Sequence, residues 1–545
     1  MNYREIFRIL GNYLLYFALI LCLPLGVAIY FQFVLDDIVN PKPDSTLEFL
    51  ITFFVCLGTG FIFRFLGRGS KEIIHKRESI ILVVFIWFIT SIIGALPFYL
   101  TNTLSNPIDA YFETISGFTT TGATLITPKI YDPETKEEIE QTITNPHVHN
   151  KTYRFYGTVE PIYDDKGEVL FSGVEAVGYA VLFWRNFIQW LGGMGIVVLF
   201  LTVLPALGVG GKFLYQMEAP GPVKESISPR IKETASLLWK LYLGITLLEV
   251  VLLLWTNASI PLFDAVSISL SNISTGGFSI RNNSIGSYAS PPTEWVVIAF
   301  MILGSINFSL YFHILKAKFY KIYVPDFFLF IGTVIFFSGL VTYFISGQPL
   351  ALFYSAPDNF SDTLRTGLFQ SISAQTSTGY ATANYDLWPF SAQMFMLLVM
   401  FIGGMSGATC GGIKTPRFYI LFKILIYQVQ TMFNPEAIKK LQVEKAKIDS
   451  RTAMTVLAFF SIVAFFVTIG TVFYILDDID PETSLGLMGC MLNNIGIAFR
   501  TAGPTNTFSF LSPFSKIMST LWMLLGRLEF YTLLILFLPS FWRTK

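Results

Sequence analysis

Ten apolar runs of helix length divide the chain, near residues 10–33, 47–67, 79–100, 178–205, 235–256, 293–315, 323–346, 389–412, 453–476 and 515–540. A helix needs about 20 apolar residues to cross a bilayer core, and a membrane barrel would instead show alternating segments of about ten. The pattern predicts an all-α polytopic membrane protein. Basic residues collect after every second run: Arg64, Arg68, Lys71, Lys76 and Arg77; Lys212, Lys224, Arg230 and Lys232; Lys316, Lys318 and Lys321; Lys414, Arg417, Lys423, Lys439, Lys440, Lys445, Lys447 and Arg451. The positive-inside rule places those loops and both termini in the cytoplasm. The opposite loops carry Asp36, Asp37, Asp477, Asp478 and Asp480. Arg4 and Arg8 lead into the first run without a small-residue cleavage site, so it reads as a retained helix and not a signal peptide.

Four outward-facing segments share one form: Thr120-Thr121-Gly122-Ala123, Ser274-Thr275-Gly276-Gly277, Ser377-Thr378-Gly379-Tyr380 and Asn494-Ile495-Gly496-Ile497. Each follows a stretch of short-helix length and precedes an apolar run. One Ser/Thr-Gly pair is a common loop feature; four at matching topological positions describe a repeat. The chain then divides into a two-span extension (1–78) and four span–pore-helix–span units: 79–212, 213–321, 322–427 and 428–545. Gly276 to Gly379 is 103 residues and Gly379 to Gly496 is 117, but Gly122 to Gly276 is 154. A polar insertion at 128–175 accounts for the excess. Alternation in Tyr153-Arg154-Phe155-Tyr156 and Val169-Leu170-Phe171 predicts short strands there, forming a small extracellular β cap.

Backbone carbonyls around a common axis can replace an ion's hydration shell, and glycine permits the backbone angles that expose them. The predicted ion filter comprises Thr120, Thr121, Gly122, Ser274, Thr275, Gly276, Ser377, Thr378, Gly379, Asn494, Ile495 and Gly496. Asp109, Asp264, Asp362 and Thr483 read as N-caps of the helices before it, with negative C-terminal ends aimed at a central cation. Asp109, Asp264 and Glu113 then support the filter without touching the ion, although Asp109 and Asp264 also suit ordinary capping.

The eighth run contains Gly403, Gly404, Gly407, Gly411 and Gly412, five glycines in ten residues. Each costs a helix up to about 1 kcal/mol relative to alanine, so this span should break into a loop able to gate the pore. Close helix packing through small residues is the plainer account, and it fits Gly192-Gly193-Met194-Gly195 better. Arg527 and Glu529 lie within the last apolar run, where charges are costly and face a cavity or a partner. Arg527 reads as a positive barrier bonded to the loop carbonyls, or else as half of a structural ion pair.

Composition changes little in this picture. Of 545 residues 53% are hydrophobic and 14% charged, with zero net charge, so nothing points to nucleic acid. Cys22, Cys56, Cys410 and Cys490 have neither zinc nor disulfide spacing. His147 and His149 could pair on a metal, but such a pair in a loop is more often solvated. The sequence contains no nucleophilic triad, phosphate loop or metal cluster, so an enzyme is not expected.

On Asp109-Ala110-Tyr111-Phe112-Glu113-Thr114 through Gly122, Trp184-Arg185-Asn186-Phe187 through Gly195, Ser274 to Phe278, Gly411-Gly412-Ile413-Lys414, Leu492 to Gly496 and Leu525-Gly526-Arg527-Leu528-Glu529, the chain resembles the Trk/Ktr/HKT superfamily of potassium translocators, and within it the TrkH branch. The resemblance covers about 430 residues and the two-span extension suits it. It implies potassium as the transported ion, four repeats around a central pore, and a gate made by the loop of the third repeat and the arginine of the fourth. It also implies a homodimer in the cell (inner) membrane that binds a cytosolic ring of RCK-type, TrkA-like nucleotide-binding subunits. The stretch around 427–452 is too short to be such a domain, so that regulator would be a separate protein. Sodium-preferring plant relatives replace the first filter glycine by serine; Gly122 therefore favours potassium. The chain departs from the pattern at the fourth filter, which lacks a threonine, at Ile497, where a proline is expected, and at 128–175, which has no counterpart in the typical member.

A gated channel driven by the membrane potential is the leading mechanism, with proton- or sodium-coupled symport as the alternative. Coupling would be easier to defend with ionisable groups along the path, for which Glu113 and Glu249 are the candidates. A secondary transporter of organic solutes should show two inverted halves with helices broken near the midplane, and four filters argue against a non-transporting sensor.

Overall fold

In the computed structural model the described residues are all except 1–2, 35–44, 70–74, 133, 146–149, 165, 196–230, 356–358, 434–441, 444–445, 448–449 and 544–545. His147, His149, Asp36, Asp37, Lys71, Lys212, Lys224, Arg230 and the end of the fourth apolar run lie outside them.

Among the described residues six helices are long and apolar enough to cross a membrane. These are α1 (Tyr3–Phe33), α2 (Thr46–Leu66), α3 (Lys76–Leu100), α6 (Ile231–Thr256), α10 (Pro325–Ile345) and α14 (Ser450–Leu476). Helices α3, α6, α10 and α14 fall one in each of the four units expected from the sequence, and a short helix follows each: α4 (Pro107–Phe118), α7 (Leu262–Ile273), α11 (Phe360–Gln375) and α15 (Pro481–Asn493). The second helix of each repeat is α5 (Tyr179–Gly193), α8 (Pro291–Gly304), α12 (Phe390–Met400) or α16 (Pro513–Arg527).

These second helices differ from the sequence expectation. A break was predicted in the eighth run alone, yet the sixth and tenth are broken too. Helix α8 turns by 97° into α9 (Phe308–Leu315), and α16 turns by 112° into the segment Tyr531–Phe537. Ser305 and Asn307 punctuate the first break, where the Asn307 side chain caps α9. Glu529 and Phe530 take positive φ at the second. A local count of glycines could find only the glycine-rich case.

The capping assignments also need correction. Asp109, Asp264, Asp362 and Thr483 are not N-caps; each is the third residue of its short helix. The caps are Asn106, Pro261, Asn359 and Asp480, and the Asn and Asp side chains accept backbone N–H bonds of the first turn. The common register is itself a sign of fourfold repetition, since a carboxylate in the first turn still faces the positive helix end.

The insertion forms two antiparallel pairs: β1 (Gln141–Asn145) with β2 (Lys151–Phe155), and β3 (Ile162–Tyr163) with β4 (Val169–Phe171). Its anchors reach the fourth repeat. Lys151 pairs with Asp478 at 2.8 Å, and just ahead of the insertion the Thr127 and Ser509 hydroxyls meet at 2.7 Å. Tyr153 donates its hydroxyl to Asp480 at 2.8 Å and accepts the Asp480 N–H at the same distance. The residue that starts α15 is therefore held by the insertion.

Candidate functional site

The four short helices end alike. A backbone N–H just past each helix bonds the carbonyl five residues earlier: Thr121 to Ser116, Gly276 to Ser271, Thr378 to Ser373 and Ile495 to Cys490, at 2.8–3.0 Å. The preceding residue in each case is left-handed: Thr120 (φ 55°), Thr275 (52°), Ser377 (54°) and Asn494 (55°). The following residue is a glycine at positive φ: Gly122 (84°), Gly277 (78°), Gly379 (80°) and Gly496 (86°).

This register corrects the second repeat. Gly277, not Gly276, is the equivalent of Gly122, Gly379 and Gly496; Gly276 takes the middle position, and Ser274 is the C-cap of α7, bonded back to the Leu270 carbonyl at 2.9 Å. The sequence held the signal. The third helix residue stands 13 positions before the glycine in repeats one and four, and Asp264 stands 13 before Gly277.

Close contacts join the four segments into a closed ring. A Cβ on Gly122 would overlap the Gly276 carbonyl oxygen, one on Gly277 that of Thr378, one on Gly379 that of Ile495, and one on Gly496 that of Thr121. Each glycine thus packs on the middle carbonyl of the next repeat, and the fourth returns to the first. Left-handed backbone and the lack of space both require glycine here.

Behind the ring lie buried polar ties. Arg185 of α5 pairs with Glu113 of α4 at 2.7 Å, with both side chains at most 1% exposed. Glu113 also accepts from the Thr124 hydroxyl and the Leu125 N–H, both at 2.9 Å, while Arg185 donates to the Ser279 carbonyl at 2.6 Å and lies over Phe278. Removing one partner of such a pair costs about 3–5 kcal/mol. Gln189 donates to the Gly276 carbonyl at 2.7 Å. Asp109 is bound to Lys516 of the fourth repeat at 2.8 Å, and Asp264 to Arg281 at 2.9 Å. Arg185, Gln189 and Lys516 were given no role from sequence, although charges within apolar runs are a readable signal.

Outside the ring, burial pushes the Asp386 carboxyl up to about 6, with the Arg500 N–H and guanidinium pulling the other way. Burial acts to raise Asp480 as well, but the Thr483, Tyr153 and Asn145 hydrogen bonds outweigh it and hold the carboxyl below its usual value.

Below the ring, α12 stops at Met400 and residues 401–414 form a loop closed by a bridge between Ile402 and Ile413. Gly411 packs on the Asn493 carbonyl with no room for a side chain, while its N–H donates to Ser377 at 2.6 Å. The Thr409 hydroxyl donates to the Ile273 and Gly304 carbonyls at 3.0 and 2.9 Å, and lies 3.5 Å from the Thr275 hydroxyl. Gly403 packs on the Gly411 carbonyl and Gly404 on Cys410, whereas Gly407 and Gly412 take positive φ at the loop's turns. Arg527 reaches into this layer: it donates to the Thr409 carbonyl at 2.7 Å, the Thr120 hydroxyl at 3.1 Å, and the Gly192 and Gly193 carbonyls. Glu529, the other charge of this run, binds Arg417 at 2.6 Å. Left-handed residues of three repeats, Thr120, Thr275 and Ser377, thus face the loop and its arginine. The fourth, Asn494, donates to the Met523 carbonyl and the Thr121 hydroxyl.

The geometry agrees with three comparisons. The profile described as "TrkH: Cation transport protein" matches residues 46–345 and 350–544. The chain is 32% identical to the Trk system potassium uptake protein TrkH of Salmonella typhimurium, over 100% of both chains. It is also 32% identical to the Trk system potassium uptake protein TrkG of Escherichia coli, covering 92% of this chain and 93% of that one. The crystal structure of the potassium transporter TrkH from Vibrio parahaemolyticus superposes with a TM-score of 0.78 at 28% identity, covering 100% of both. With a family match across nearly all its repeats and full-length relatives, this polytopic membrane protein belongs to the TrkH family of cation transport proteins.

Proposed function

We propose that the chain is the pore of a potassium uptake system, passing the ion through the ring of four segments at 120–122, 275–277, 377–379 and 494–496. The closed ring carries the reading: four helix C-termini and four strained backbone turns converge on one axis, the arrangement that offers carbonyl oxygens to a dehydrated cation. The relatives' names supply potassium as the ion. The loop 401–414, pinned by Arg527 under the ring, is the gate, and a guanidinium there is a positive barrier to a cation. The ring faces outward and both termini are cytoplasmic, in accord with the basic loops. A homodimer carrying an RCK-type nucleotide-binding subunit on its cytoplasmic face completes the assembly. The membrane potential is a sufficient driving force, at about 2.3 kcal/mol per charge per 100 mV.

The test is tracer rubidium uptake into potassium-loaded liposomes under an imposed diffusion potential, with and without a proton or sodium gradient. Uptake on the potential alone, competed by potassium and not by sodium, is the expected result. A strict need for a second ion gradient would replace the channel with a symporter. Failure of Arg527→Ala to permit flux in a silent preparation would remove the gate assignment.

A further inference from the structure

At the end of the bundle away from the insertion, α1 and α2 cross so closely that no side chain fits between them. Gly11 packs on the backbone of Arg64, and Gly67 on that of Arg8. The opposite end of α1 is fixed at the insertion side, where Phe31 stacks on Tyr179 at 4.9 Å. The crossing gathers Arg8, Arg64 and Arg68 around a cleft of about 930 Å³. Glu5, itself buried, bonds Arg8 at 2.8 Å, so it offsets one positive charge there. Arg64 and Arg68 are exposed, and Arg68 lies over the Phe65 ring at 4.8 Å.

One wall of the cleft continues into an exposed apolar strip on α2. Leu50, Phe54, Phe61 and Phe65 follow helical spacing on one face and are 37, 57, 55 and 64% exposed. Fifteen residues of helix span about 22 Å, close to the length of an extended acyl chain. We infer that this cleft binds one anionic phospholipid, its phosphate held by Arg64 and Arg68 with Arg8 behind them and an acyl chain lying along the α2 strip. Charge and apolar surface are joined end to end here, as headgroup and tail are in a lipid. Basic pockets between membrane helices recognise anionic headgroups in this way. The inference requires only that the protein lies in a membrane and is independent of the ion it carries.

The experiment is native mass spectrometry of the purified full chain titrated with phosphatidylglycerol or phosphatidylcholine, in which individual lipid adducts are resolved. The wild type should take one phosphatidylglycerol well ahead of any phosphatidylcholine. Each arginine near a membrane surface contributes about fivefold, so Arg64→Gln/Arg68→Gln should weaken that first adduct by about 25-fold. Arg64→Lys/Arg68→Lys should retain most of it, which separates charge from folding, and Arg154→Gln in the insertion should change nothing. Equal uptake of both lipids by the wild type, or an undiminished adduct in the Gln variant, would overturn the inference. So would displacement by millimolar inorganic phosphate, which would mark a free-anion site, or selective binding of poly-glutamate in place of lipid, which would give the cleft to a protein partner.

Discussion

The ring and the loop beneath it lie in contact but are built on opposite principles. The ring is assembled from four copies of one turn, each with the same left-handed residue, the same bond to the carbonyl five residues back and the same glycine against its neighbour. The loop exists once. It is tied most heavily to the second repeat, where Met405, Gly407 and Thr409 bond the chain around Ile273 and Gly304–Phe308, and by one bond each to Ser377 and Arg527. Repetition suits a part that must present equivalent groups to one ion. A single-copy part can move without requiring three others to follow, and its glycines permit other backbone angles. On the proposed function, the symmetric layer would select the ion and the asymmetric one would control its passage.

The largest expected effect breaks the ring. Gly277→Ala places a methyl on the Thr378 carbonyl at positive φ, so rubidium uptake should fall below detection. Gly276→Ala meets first the Gln189 side chain and not backbone, and pairing it with Gln189→Ala should restore most of the flux. Equal damage from both glycines in that background would refute the register. Next comes the loop: Arg527→Ala removes bonds to four partners and the positive charge, and uptake should rise by about tenfold without a change in ion preference. Unchanged or reduced flux would mean that the arginine is only structural.

Two smaller effects concern the outer rim. Burial pushes the Asp386 carboxyl up to about 6 in the folded state, against about 3.9 in an unfolded chain. The folded state therefore holds its proton longer; the contribution is complete below about pH 4 and is lost as pH rises through 6. Stability should fall by about 2–3 kcal/mol across that window, and thermal unfolding of Asp386→Asn should lack this component. Finally, Tyr153→Phe deletes both hydrogen bonds to Asp480, a loss of about 1–2 kcal/mol measurable as a lower unfolding midpoint. A concurrent loss of potassium preference would tie the insertion to the ring; an unchanged preference would leave it a brace.

Ten apolar runs, four short glycine-bearing segments and the glycine-rich loop were readable because hydropathy and glycine act locally: an apolar run must leave water wherever it sits, and a glycine permits φ > 0 whatever surrounds it. The strands at 153–155 and 169–171 were legible by alternation for the same reason. Other features were not local. Gly276 and Gly277 are adjacent glycines; the 13-residue offset from Asp264 points to Gly277, and its contact with Thr378 across repeats shows that it closes the ring. The breaks after Gly304 and Arg527 carry little glycine and depend on partners elsewhere, such as the Gly192 and Gly193 carbonyls that receive Arg527. Hydropathy and the placement of glycine alone make this a helical membrane protein with four similar turns. The closure of the ring, the pairing of Arg185 with Glu113 and the seating of the loop came from the folded chain, because each depends on which atoms of segments far apart in sequence meet.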